Sequence, residues 1–248
     1  GTVYINGQRL GGRPYGYSSF EYDLTPFINK NGDNVIAVRV DNSDQPNSRW
    51  YSGCGIYRHV WLTATSNIHV AHWGVYANSD PKGNVYVEVT VESNGNKTVV
   101  PSYRFTITDK EGKTVAKSSS KSPKAKVKVS KPQLWSTDNP YTYTLKTELL
   151  VNNTVVDEYL TTIGFRYFEF DPVKGFSLNG KTMKINGVCE HHDLGCLGSA
   201  IYEDAIHRKL TILKEMGVNA IRCSHNPPAP VIMNPDVRLL TPFFHDAL

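Results

Sequence analysis

The sequence predicts a multidomain, mainly β chain that turns α/β near its C-terminus. Three observations carry this. Short runs of alternating apolar and polar residues fill the chain from Thr2 to about residue 166, and turn dipeptides interrupt them. Between residues 66 and 166 the turn signals recur every ~8–12 residues, the spacing of a β-sandwich of about immunoglobulin size. After Phe176 the pattern becomes strand, helix, strand.

In order along the chain, "TVYINGQRL" turns on Asn6-Gly7, and "NVIAVRV" follows Asn31-Gly32. These dipeptides favour the left-handed backbone of tight turns. From Ile68 the strands "VYVEVTVE", "SYRFTIT", "AKVKVS", "YTYTLKTELLV" and "DEYLTTIGFR" follow, with a turn at Glu111-Gly112. A hairpin at Asn179-Gly180 leads into one predicted strand, "TMKINGVC". Ile206, Leu210, Leu213 and Met216 then fall near helical spacing, with Gly217 as the stop, and "NAIRCS" is a second buried strand. Such a βαβ unit has parallel strands and a right-handed crossover. Polar residues cluster after both strands: Glu190, His191, His192 and Asp193 after the first, His225 and Asn226 after the second. In α/β folds that edge is where ligands sit.

Composition narrows the classes. With 248 residues, 40% hydrophobic and 20% charged, the chain has the balance of an ordinary globular protein. A net charge of +4 is too slight to argue for nucleic acid, and no apolar run reaches the ~18–20 residues of a membrane span. Cys54, Cys189, Cys196 and Cys223 form no CxxC pair and read as small apolar residues, neither a disulfide frame nor a zinc site. His191 and His192 are adjacent on an extended strand end and therefore point to opposite sides, which argues against joint metal ligation. No metal site or cofactor is evident. In "KSSSKSPKAKVKVSK", Lys126 and Lys128 alternate with Val127 and Val129 like the outer face of an edge strand. Edge lysines discourage strand-to-strand aggregation, and an anionic partner is the alternative.

Five stretches, in this order, resemble glycoside hydrolase family 2, the β-galactosidase and β-glucuronidase group: "RPYGYSSFEYDLTPFI", "SRWYSGCGIYRHVWL", "LWSTDNPYTYTL", "INGVCEHHDLG" and "GVNAIRCSHNPPAP". The resemblance is strongest to β-galactosidases. It implies a partial jelly-roll sugar-binding domain at 1–65, an immunoglobulin-like β-sandwich at 66–166 and the first strands of a (β/α)8 barrel at 167–248. It also implies a carbohydrate substrate, with "RPYGYSSF" and "RCSHNPP" favouring a β-galactoside over a β-glucuronide or β-mannoside, and a soluble bacterial parent, periplasmic or cytoplasmic, with a homo-oligomer open to it. A noncatalytic carbohydrate-binding or scaffold protein is the alternative. By this resemblance Gly1 starts partway through the jelly roll, so segment 1–65 is expected to be poorly stable alone.

Members of the family are retaining glycosidases that use two carboxylates about 5–5.5 Å apart. Both are glutamates from later barrel strands, the acid/base following an Asn; this chain has no Asn-Glu pair, and Glu190 matches neither motif. No catalytic residue is therefore assigned. The resemblance makes Arg222 the group that would hold the nucleophilic glutamate ionised, His225 a contact to sugar hydroxyls, and Asn226 an orienting neighbour. Of His191 and His192, one is expected to face the site and the other to pack. Arg49 and Trp50 lie on a loop that reaches the barrel mouth in relatives, although Ser48 stands where some carry a carboxylate and Trp50 reads equally as interdomain packing. Tyr15 and Tyr17 are expected to pack within the N-terminal sandwich. From Val231 onward the tail departs from the family pattern. Pro235 and Pro242 interrupt the helix due there, which implies a tail out of register with the parent gene; an ordered helix over 231–242 would contradict that.

Overall fold

The computed structural model describes residues 1–44, 54–94, 99–233 and, for backbone only, 243–245. It has two compact units: Gly1–Trp61 together with Asn186–Leu248, and Leu62–Ile185.

The first unit opens with β1 (Thr2–Ile5), β2 (Gln8–Gly12) and β3 (Ile36–Arg39), an antiparallel sheet in the order β2-β1-β3. Ile5 and Gln8 pair across a two-residue turn, and Asn6 and Gly7 both have positive φ, 49° and 79°, as the predicted hairpin requires. The Asn6 side chain then organises the long connection to β3: its Nδ2 donates to Phe27 O and Asn34 Oδ1, and its Oδ1 accepts from Val35 N at 2.9 Å. Alternation in β1 buries Val3 and Ile5, whereas β3 leaves Ile36 and Val38 exposed.

The second unit is the sandwich. It comprises β4 (Ile68–Ser79), β5 (Asn84–Ser93), β6 (Ser102–Thr108), β7 (Thr114–Ser120), β8 (Lys124–Lys128), β9 (Tyr143–Val151) and β10 (Thr154–Ile163). These form a three-stranded sheet β4-β5-β8 and a four-stranded sheet β10-β9-β6-β7, antiparallel throughout. Every second residue of β5 and β6 turns inward, so Val85, Val87, Val89, Tyr103, Phe105 and Ile107 meet Leu145, Leu149 and Phe165 in one core. Between the sheets, Asp157 accepts the Val70 N–H at 2.7 Å beside a bulge in β10. Three further short strands, β11 (Phe168–Asp171), β12 (Gly175–Leu178) and β13 (Lys181–Thr182), form a separate antiparallel sheet whose Phe176 and Leu178 pack on Trp135.

One polar cluster in this unit sets a pH dependence. Arg104 and Glu148 lie opposite one another on β6 and β9, joined by Nε–Oε2 at 2.7 Å and Nη2–Oε1 at 3.0 Å, and Lys146 Nζ adds a contact of 3.3 Å. The Glu148 side chain is only 8% exposed. The Arg104 hydrogen bonds, then those of Lys146, outweigh desolvation and hold its carboxyl at about 2, against an ordinary 4.5. A depressed carboxyl stabilises the fold fully above its unfolded value and loses that contribution as pH falls from there through about 2. Arg104→Leu is therefore expected to cost about 2 kcal/mol at neutral pH, because it strands a buried carboxylate. The difference from the parent chain should shrink towards pH 2, where Glu148 protonates. Urea unfolding at both pH values checks this, and an equal difference at both would refute the pairing as its source.

The first unit resumes with β14 (Gly187–Glu190), α1 (Glu203–Glu215), β15 (Ala220–Cys223) and β16 (Phe243–His245), in a parallel sheet β14-β15-β16. The single strand expected over "TMKINGVC" is instead two. β13 closes an antiparallel hairpin with β12, while β14 pairs in parallel with β15, and one strand cannot serve both sheets. Asn186 marks the break, exchanging hydrogen bonds with Asn219 at 2.8 and 2.9 Å. α1 buries Ile206 and Leu210 against Ile221, Cys223 and Val218, and ends where Gly217, φ 84°, lets Val218 N–H reach Leu213 O. In the tail, Pro230–Met233 is a 3-10 turn whose Val231 and Ile232 pack against the α1 cluster. Residues 234–242, where a helix would have tested the register of the tail, lie outside the described residues; β16 was not foreseen.

Candidate functional site

Pairing in β14 and β15 sorts their side chains onto two faces. Val188, Ile221 and Cys223 go to the α1 side, so Arg222 and its register partner Cys189 point the other way. There Arg222 Nη1 donates to Ser224 Oγ at 3.2 Å and lies 3.7 Å from Cys189 Sγ. Ser224 is buried, and its N–H continues the ladder to Glu190 O at 2.8 Å. The guanidinium is thus oriented by a hydroxyl that the strand itself fixes.

The chain then bends sharply. His225 has φ 69°, a left-handed conformation that costs a non-glycine residue on the order of 1 kcal/mol and clusters at functional sites. The bend exposes the imidazole and sets it against His191, ring centroids 5.5 Å apart. Asn226 turns inward and is 6% exposed. Its Oδ1 accepts from Tyr15 O–H at 3.5 Å, and its Nδ2 has no protein partner among the described residues. Arg222, His225, Asn226 and His191 are therefore gathered at one strand edge. His192 meets Tyr17 at 5.0 Å and Tyr57 at 6.1 Å. Arg49, Trp50 and Ser48 lie outside the described residues.

Tyr15 and Tyr17 reach further than expected. They pack on one another and Tyr17 on Tyr57 within the N-terminal segment, but Tyr17 also meets His192 edge-on, and Tyr15, 45% exposed, reaches Asn226. Arg58 fastens this arrangement, with Nη1 on Tyr17 O at 3.0 Å, Nη2 on Pro227 O at 2.6 Å and its guanidinium over the Tyr57 ring at 5.2 Å. Tyr57 O–H donates to Gly16 O, and burial raises its pKa. Sequence reasoning missed Tyr15, Tyr17, Tyr57, Arg58 and Ser224. The tyrosine segment has no periodicity to show which surface it meets, whereas the position of Ser224, two residues past Arg222, was a readable signal.

Glu190 is paired with α1: its Oε2 lies 2.5 Å from Lys209 Nζ. Burial chiefly, and then Glu190, raises the neighbouring Cys223 thiol. A cavity of about 30 Å³, sufficient for a water molecule, lies towards α1, where Glu190, Lys209, Ile206 and Cys223 line it together with His191, His192, Ser224 and Asn226. No cluster of three or more His, Cys, Asp or Glu among the described residues is placed to hold a metal ion, and none of the described helices is long and apolar enough to cross a membrane.

Two family models match the chain: "Glycosyl hydrolases family 2" over residues 68–166 and "Glycosyl hydrolases family 2, TIM barrel domain" over 172–235. The second match runs past Val231, into the part of the tail read as departing from the pattern. A β-galactosidase of Bacteroides ovatus, BoGH2A, is 52% identical over 94% of this chain and 29% of its own length. A putative β-glucuronidase of Formosa agariphila is 40% identical over 92% of this chain and 22% of its own. Among solved structures, a family 2 glycosyl hydrolase from Bacteroides cellulosilyticus superposes with a TM-score of 0.89 at 37% identity, covering 98% of this chain and 35% of that one. A β-glycosidase from Bacteroides vulgatus gives 0.88 at 40% identity, covering 96% and 32%. The chain thus spans under a third of the length of the first two relatives.

Proposed function

Because this chain belongs to glycosyl hydrolase family 2, we propose that it is part of a retaining exo-β-glycosidase acting on terminal β-galactosides, and that its own contribution is the supporting wall of the sugar site. The observation that carries this reading is the strand end at β15. Arg222 is braced by Ser224 on the face away from α1, and His225 is bent outward beside it. A guanidinium fixed in this way suits charge-assisted hydrogen bonds to a carboxylate, keeping a nucleophile ionised and aimed. His191 and His225 offer ring nitrogens to sugar hydroxyls. In the double displacement, one carboxylate attacks the anomeric carbon while the other protonates the leaving oxygen. Both glutamates belong to barrel strands not in this sequence, and Glu190, held by Lys209, replaces neither.

Two measurements on the 248-residue chain test this. A chromogenic β-galactoside is expected to show no turnover above buffer, with a β-glucuronide run alongside. Saturation-transfer NMR is expected to detect weak binding of a β-galactoside, reduced roughly fivefold by His225→Ala, the loss of about one hydrogen bond. Turnover would show that a carboxylate in this chain does the chemistry. Preference for the glucuronide would move the substrate to the class named for the Formosa relative.

A further inference from the structure

The outer face of the β4-β5-β8 sheet carries side chains that neither the core nor the proposed site uses. In register across it run Tyr76, Glu88 and Lys124, then Asn78, Tyr86 and Lys126, with Asn84 opposite Lys128 at the end. Tyr76 is 64% and Tyr86 45% exposed, and Lys126 Nζ sits 5.1 Å above the Tyr86 ring. Glu88 pairs with Lys124 at 2.8 Å, whereas Asp80, held ionised by hydrogen bonds from Asn84, lies near Lys128, whose ammonium donates to Lys82 O. Lys126 and Lys128 supply the ammonium groups at this end of the face.

Protection of an edge strand accounts for lysines on β8. It does not account for exposed tyrosines diagonal to one another on β4 and on the central strand β5. We infer that this face docks an anionic polysaccharide, with Tyr76 and Tyr86 stacking on pyranose rings and Lys126 and Lys128 meeting its carboxylate or sulfate groups. An open sheet face suits an extended polymer laid across it, and the aromatic rings present flat apolar surface beside point charges. The choice of a sugar polymer over other polyanions rests on the proposed action on carbohydrates.

The test is affinity electrophoresis of the 248-residue chain at about 150 mM salt, where long-range charge is screened beyond ~8 Å. Gels contain alginate, dextran sulfate or neutral dextran. Retardation is expected with one or both charged polymers and not with dextran; which polymer acts tells carboxylate from sulfate. The double variant Tyr76→Ala with Tyr86→Ala, which leaves net charge unchanged, is expected to weaken retardation roughly tenfold. Lys126→Gln with Lys128→Gln should weaken it similarly. Both pairs sit on exposed surface, and an unchanged thermal transition verifies their folding. Absence of retardation, or retardation indifferent to the tyrosines, overturns the proposal. So does a poly-dT oligomer displacing the polymer as well as free alginate does, which would make the face a nucleic-acid surface. Release by excess galactose would also overturn it, by moving the polymer to the β15 strand end, and would leave the proposed function standing.

Discussion

Phe105→Ala is expected to destabilise the sandwich unit by about 3–5 kcal/mol, the usual cost of emptying a buried aromatic site, and to lower its melting transition by on the order of 10 °C or more. Phe105 is fully buried at the centre of the core, its ring parallel to that of Tyr103 at 6.3 Å. It sits on β6, which pairs with both β7 and β9, so the neighbours that would have to close the cavity are held by ladders on both sides. Collapse is therefore restricted, and the upper part of the range applies. Because the chain has two units, amide hydrogen exchange on β5, β6 and β9 is the proper reading: protection there should fall by the full amount while amides of β14 and β15 keep theirs. A loss under about 1 kcal/mol would mean that the core repacks freely around position 105.

Much of the fold was legible because the chain punctuates itself. Asn6-Gly7 and Asn179-Gly180 each adopt the paired positive φ that fixes a two-residue hairpin. Asn152-Asn153 does the same between β9 and β10, without a glycine to announce it. The alternation of β5 and β6 is clean because one face of each meets the core and the other meets solvent. Legibility failed where pairing is decided at a distance. Nothing local in "TMKINGVC" says that Thr182 belongs to one sheet and Gly187 to another, since the partners, β12 and β15, are what divide it.

At the candidate site the strand-end positions of Arg222, His225 and Asn226 followed from the βαβ reading and the family resemblance. The surrounding contacts did not. Tyr15 and Tyr17 are about two hundred residues from their partners in the chain, and an exposed loop tyrosine reads the same whether it packs on its own sheet or on another element. Arg58 was equally silent, because both of its acceptors are backbone carbonyls, which any sequence supplies.

Asn226→Leu should separate stability from function at this strand end. Asn226 is 6% exposed, its Nδ2 lacks a protein partner, and its Oδ1 holds only a long 3.5 Å bond from Tyr15. A buried unsatisfied amide costs about 1–3 kcal/mol, and an apolar side chain of similar shape removes that cost. Tyr15 loses little in return, since a hydroxyl on a ring 45% exposed can turn to water. The variant is therefore expected to be as stable as the parent chain or more so by about 1 kcal/mol in the protection of β14 and β15 amides. Its affinity for a β-galactoside is expected to fall more than about tenfold, because the substitution removes an amide N–H donor next to His225 that no protein group among the described residues uses, which the proposed site would keep for its ligand. A polar group retained against stability is explained by the ligand site it serves. Loss of stability together with unchanged binding would instead make Asn226 an ordinary structural residue and leave the strained His225 without its proposed purpose.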